Sequence, residues 1–86
     1  MNWREVRQML RGKLEVKNPI KGKKHDSWPV ECDGRYIGKV TVGHHDGELK
    51  PWELGNCAGG IGLNEKEFKL LVGCTMSREE FCEKHK

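Results

Sequence analysis

The stretch His25-Asp26-Ser27-Trp28-Pro29-Val30-Glu31-Cys32-Asp33-Gly34-Arg35-Tyr36-Ile37-Gly38-Lys39-Val40-Thr41-Val42 decides the fold. Apolar residues recur at every second position on both sides of Asp33-Gly34, the period of a half-buried strand. A strand over about 25–31 puts Trp28 and Val30 on one face and His25, Ser27 and Glu31 on the other. A strand over about 35–42 turns Tyr36, Val40 and Val42 to the core. Asp33-Gly34 invites a two-residue hairpin, but that register sets Trp28 opposite Lys39 and Val30 opposite Ile37, mixing the faces. A three-residue loop, Cys32-Asp33-Gly34 with Gly34 left-handed, pairs Val30 with Tyr36 and Glu31 with Arg35. It also sets Trp28 over Gly38, where an aromatic covers a bare glycine. This second register is the one expected, with His25, Ser27, Lys39 and Thr41 away from Trp28.

Upstream, Leu14 and Val16 alternate with Lys13, Glu15 and Lys17, which predicts a further strand ended by Pro19. Three helix starts share one grammar: Asn2 with Glu5, Asn64 with Glu67, and Ser77 with Glu80. Each pairs an N-cap side chain with a glutamate three residues on. Each is also bracketed by apolar residues that can staple the first turn: Met1 with Val6, Leu63 with Phe68, Met76 with Phe81. The first helix spans about 3–11 with Trp3, Val6 and Leu10 on one face and Gly12 as its stop. Another, 64–72, buries Phe68, Leu71 and Val72 and ends at Gly73; a short polar one starts at Arg78. Between Trp52 and Leu63 the apolar spacing (Leu54, Cys57, Ala58, Ile61) is helical despite four glycines, each costing roughly 1 kcal/mol against alanine in a helix interior. Tertiary packing must offset that cost, and the small residues allow close approach to the sheet.

The order is α-β-β-β-α with a helical extension. It predicts an α+β fold in which a three-stranded antiparallel sheet carries helices on one face. With 86 residues, the chain makes one domain (1–86), its core at about 2–63 and the extension at about 64–86. No apolar run reaches the roughly 18 residues of a spanning helix, and the N-terminus enters an amphipathic pattern directly, so the expected location is cytoplasmic. Residues 1–39 carry ten Lys/Arg against five Asp/Glu, while residues 40–86 carry six against eight. A basic first half points to a polyanion, nucleic acid being the usual one. Cys32, Cys57, Cys74 and Cys82 form no Cys-x-x-Cys pair and match no zinc spacing. They are expected as reduced, partly buried thiols, with no metal and no cofactor.

Lys21-Gly22-Lys23-Lys24-His25-Asp26-Ser27-Trp28 begins as a cluster of positive charge and ends in a strand, with one histidine at the junction. A cation-lined imidazole suits gripping a phosphodiester and moving a proton on it. Lysines in a solvated loop and a surface histidine are the plainer alternative on this stretch alone.

Val40-Thr41-Val42-Gly43-His44-His45, then Gly47-Glu48-Leu49-Lys50-Pro51 and an apolar segment ending Gly62-Leu63, resemble the HicA family of toxins. The segment from Glu67 to Phe81 looks like the extension of a longer HicA-like subgroup. The resemblance covers most of residues 3–82 and implies a double-stranded-RNA-binding-domain-like fold. It also implies metal-independent cleavage of mRNA by a histidine on an early strand, and neutralisation by a HicB-like antitoxin. His25 matches that histidine, although Lys23-Lys24 precede it where the family usually has Gly-Ser, and the glycine-rich 55–62 departs from a more regular family helix.

RNA carries its own nucleophile in the 2′-hydroxyl, so the enzyme's part is proton transfer and charge stabilisation. His25 is therefore the expected general acid or base. Lys23 and Lys24 would hold the phosphate, and Lys21, Lys39, Lys13 and Lys17 are further candidates for backbone contacts. His44 and His45 are secondary candidates, for catalysis, structure or antitoxin contact, and His85 is assigned no role. Trp3 and Trp52 could stack on bases or simply pack. A non-catalytic double-stranded-RNA-binding module would keep the lysines without needing His25. A protein-docking domain would need neither.

Overall fold

The structure, a computed structural model, describes residues 1–73 and 75–84. It is a mixed α+β arrangement of four helices and one two-stranded antiparallel sheet. The expectations for Cys74 and His85 lie outside the described residues.

All three cap signals start helices. The Asn2 side chain accepts from the Glu5 N–H at 2.9 Å and opens α1 (Trp3–Gly12), which buries Trp3, Val6, Met9 and Leu10. Asn64 and Glu67 close a reciprocal box at the start of α3 (Glu65–Val72). Ser77 and Glu80 do the same for α4 (Arg78–Glu83). The glycine-containing segment is helical as well: α2 (Pro51–Gly60) buries Leu54, Cys57 and Ala58. Proline suits its first position because the N–H it lacks would have no partner there.

Residues 13–19, expected as a strand, are not one. Their amides are already used: Leu14 N–H donates to Met9 O (3.1 Å) and Val16 N–H to Leu10 O (2.9 Å), folding the chain back over the end of α1. Glu15 takes a left-handed φ of 55° to make that return. Leu14 and Val16 are buried, so the alternation that reads as a strand comes from a turn dropping two side chains into the core. The sheet is therefore β1 (His25–Cys32) and β2 (Arg35–Gly43) alone. Ile20 adds one isolated bridge to Ser27 on the outer edge of β1.

The hairpin corrects the expected register. Cys32 pairs with Arg35, so the loop is the two-residue Asp33-Gly34, with φ of 53° and 80° as a type I′ turn demands. The mixing of faces is avoided by a bulge: Glu31 pairs with Tyr36 but Val30 with Gly38, leaving Ile37 as the extra residue. One inserted residue switches the side-chain parity of β2. Trp28 thus faces Val40 rather than Gly38, and Tyr36, expected in the core, is 60% exposed.

Gly38 serves a different contact. A Cβ there would stand 2.0 Å from the carbonyl oxygen of Gly60, and one on Gly60 would stand 2.2 Å from that of Lys39. Two bare Cα positions let α2 lie against β2 at backbone distance.

Phe68, Leu71 and Phe81 join Trp3, Trp28, Val30 and Val40 in a single core cluster, so the helical extension contributes to the same core. The Lys13 ammonium donates to Leu71 O and Met76 O, at 2.7 and 2.6 Å, satisfying carbonyls at and beyond the end of α3. A disulfide joins Cys32 to Cys82, with Cα atoms 5.6 Å apart. This overturns the expectation of reduced thiols for that pair: Cys32 lies on the core side of the hairpin end, where α4 crosses. Cys57 is free and buried.

Candidate functional site

The turn before β1 is built by Asp26. Its carboxylate accepts from the Gly22 N–H (3.2 Å) and the Lys21 ammonium (3.4 Å). Gly22 is pressed against the strand so closely that a Cβ would sit 2.2 Å from the His25 carbonyl oxygen. The lysine run is therefore a tight turn that delivers Lys23 and Lys24, both exposed, beside His25 at the first position of β1.

By strand alternation, His25 shares a face with Ser27 and, across the ladder, with Thr41 and Lys39. Its side chain is exposed and lines a cleft of about 300 Å³ with Trp3, Thr41, Trp52, Glu53 and Asn56. Trp3 is 1% exposed and Trp52 is 62% exposed, so of the two candidate stacking residues one belongs to the core and the other has a free face. Lys39 pairs across from Pro29, four residues along β1 from His25 and thus about 13 Å away at ~3.3 Å per residue.

His44 and His45 go elsewhere. His44 Nε2 stands 2.9 Å from Asp26 Oδ1, its ring N–H donating to a carboxylate on the opposite side of the strand from His25. That hydrogen bond, with the Gly22 N–H and the Lys21 ammonium behind it, holds the Asp26 carboxyl below the usual aspartate range. The His45 ring accepts from the Gly47 N–H at Nδ1 (3.0 Å) and meets the edge of Trp3 at a centroid distance of 6.4 Å. The acceptor role places any single ring proton on Nε2. The structure thus does not bring the three histidines together. His25 is in one place, His44 in another, and His45 is a loop brace.

Of the candidate lysines, Lys21, Lys23, Lys24 and Lys39 lie around the His25 end of the hairpin or on its face. Lys13 is committed to the α3 carbonyls, and Lys17 is exposed beside a separate cleft of about 390 Å³ near Glu31 and Arg78. Sequence reasoning missed Arg7, whose guanidinium donates to Gly43 O (2.9 Å) and His45 O (3.2 Å) and pairs with Asp46. This fixes the loop after β2 to α1. Nothing in the spacing of α1 marks Arg7 for that task. Sequence reasoning missed Asn56 as well, although a signal was there: Trp52 and Asn56 are four apart on a helix, off the face that Leu54, Cys57 and Ala58 bury. The Glu53 carboxylate accepts from the Lys50 N–H at 2.9 Å and is occupied in starting α2. Burial, with Glu53 nearby, pushes the Cys57 thiol up to about 12, so it is no nucleophile near neutrality.

Among the described residues, no three His, Cys, Asp or Glu side chains stand close enough to hold a metal ion. No helix among them is long and apolar enough to cross a membrane. The chain matches no protein-family model, no curated protein and no solved structure.

Proposed function

We propose that this chain is a HicA-like endoribonuclease toxin that cleaves mRNA with His25 and without a metal, and that a HicB-like antitoxin neutralises it. The observation that carries the reading is the position of His25. It stands exposed on the first residue of a strand, between a lysine turn and a cleft with a free aromatic face. A phosphodiester lying over Lys23 and Lys24 would place its reacting oxygens at the imidazole. The 2′-oxygen then attacks phosphorus, the bond from phosphorus to the 5′-oxygen breaks, and the products are a 2′,3′-cyclic phosphate and a 5′-hydroxyl. His25 either takes the proton from the 2′-hydroxyl or gives one to the departing 5′-oxygen, a contribution of about 10²–10⁴-fold, and solvent water accepts or supplies the other proton. The ammonium groups offset charge on the phosphorane.

The double-stranded-RNA-binding-domain-like fold and the cytoplasmic location belong to the same proposal. The helix–hairpin–helix order supports that fold, with residues 13–19 departing from it. One observation favours a second reading, RNA binding without cleavage: among the described residues no other imidazole lines the His25 cleft, since His44 is held by Asp26 on the far side of the strand.

Expression of the wild type and His25→Ala under tight induction separates the readings. The toxin reading expects growth arrest and mRNA loss with the wild type and neither with the variant. RNA binding by both proteins without any loss of mRNA leaves the binding module instead. If neither binds RNA, the basic first half is only surface.

A further inference from the structure

We infer that the cleft between β1 and α2 is a subsite for one unpaired nucleobase, so that the ligand is single-stranded RNA rather than a duplex; the inference rests on the RNA reading above. The first support is Trp52, at 62% exposure the most exposed of the three tryptophans. An indole on the first turn of a helix, off the buried face, offers a free π-face on which a planar group can stack. Here the exposed ring lines a concave site of about 300 Å³ with His25 rather than a flat surface.

The second support is the distribution of charge. Among the described residues no lysine or arginine lines the cleft; the polar side chains there are His25, Thr41, Asn56 and the Glu53 carboxylate. A phosphate there would meet a negative neighbour and no ammonium. The cations stand outside, at Lys23 and Lys24 in the turn before His25. Ligand chemistry follows the boundary: anionic backbone over the turn, a neutral planar group in the cleft, and His25 between them.

A base meets both requirements. Its π-face stacks on Trp52, and its edge can exchange hydrogen bonds with the Asn56 carboxamide and the Thr41 hydroxyl, groups that both donate and accept. A base paired in a duplex presents no face to a side chain, because its neighbours in the helix cover both. Stacking on one tryptophan also sets the adjoining phosphate at a fixed distance from His25, which would place the cut next to the stacked nucleotide.

The test reads Trp52 directly, because Trp3 and Trp28 are each 1% exposed and shielded from quencher. Wild-type protein is titrated at low salt with a decauridylate carrying 2′-O-methyl groups, which cannot be cleaved. The same titration is run with an abasic strand of equal length and charge, and with a duplex. The decauridylate is expected to quench the exposed indole and protect it from acrylamide. Trp52→Ala should weaken its binding about tenfold or more, Trp52→Phe much less, and the abasic strand should bind wild type only as weakly as the decauridylate binds Trp52→Ala. Equal binding of base-bearing and abasic strands, an unaffected Trp52→Ala, or duplex quenching as strong as single-strand quenching would overturn the subsite while leaving RNA binding intact. Failure of wild type to bind any of the three would remove the RNA reading and the subsite together.

Discussion

Asp26 separates the two histidines that flank it in space. His25 lies on the face of β1 away from Trp28 and borders the cleft with Trp52, while Asp26, one residue on and on the opposite face, takes the Gly22 N–H, the Lys21 ammonium and the His44 ring. The carboxylate is thus a positioning residue: it shapes the turn that carries Lys23 and Lys24 and keeps His44 out of the His25 cleft. Its pKa is lowered in the fold, so the stability it contributes is present above the unfolded value and lost as pH falls through the folded one. Carboxyl NMR should therefore find Asp26 titrating below 3.8. In His44→Ala the midpoint should move up, because the largest cause of the depression is gone; an unchanged midpoint would mean that the His44 hydrogen bond is not made in solution. At this scale the sequence announces chemical types but not directions. Three histidines within 21 residues read as one potential cluster, and only the ladder parity and the Asp26 contact show them to be apart.

Among elements, the helix starts were the most legible features, because a capping box is satisfied within four residues and needs nothing from the rest of the chain. That residues 13–19 form a turn and no strand was illegible for the converse reason. Leu14 and Val16 show strand periodicity, yet the backbone amides that a ladder would need are spent on Met9 and Leu10. The hairpin register failed in a third way: its loop was legible as Asp33-Gly34, but a bulge at Ile37 leaves no mark in the pattern beyond the conflict it resolves. The glycines of α2 gave a sound general expectation, close approach to the sheet, without saying which of them makes it. The structure assigns that task to Gly60 facing Gly38, and a paired substitution checks it. Gly38→Ala drives a methyl into a backbone carbonyl that cannot swing away, and should destabilise by about 1–3 kcal/mol or more. Gly59→Ala, in the same helix with nothing within 4 Å of the added atom, should stabilise by up to about 1 kcal/mol. Denaturant midpoints for the two variants that move in the same direction would contradict this packing.

At the scale of the whole molecule, the disulfide closes a 50-residue separation between the hairpin and α4. Such a cross-link typically stabilises by about 2–4 kcal/mol, mainly by restricting the unfolded chain. Unfolding in urea with and without reductant should show a loss of that size, and Cys32→Ser should reproduce it without reductant. Equal midpoints would mean the bond is not formed. Cytosolic proteins rarely keep such bonds, so the same experiment bears on the proposed cytoplasmic location. Cys32 and Cys82 carried no sequence signal for their pairing, because only the tertiary crossing of α4 over the hairpin end brings them together.

The central claim is that this arrangement aims one histidine at an RNA phosphodiester. Its most direct test is cleavage of an end-labelled single-stranded RNA by purified protein in EDTA, with wild type and His25→Ala compared and binding measured in parallel. The account predicts a 2′,3′-cyclic phosphate product from wild type and a rate lower by about 10²–10⁴-fold in the variant, with RNA affinity little changed. Cleavage at the wild-type rate by His25→Ala, or RNA bound but left intact by both proteins, would contradict it.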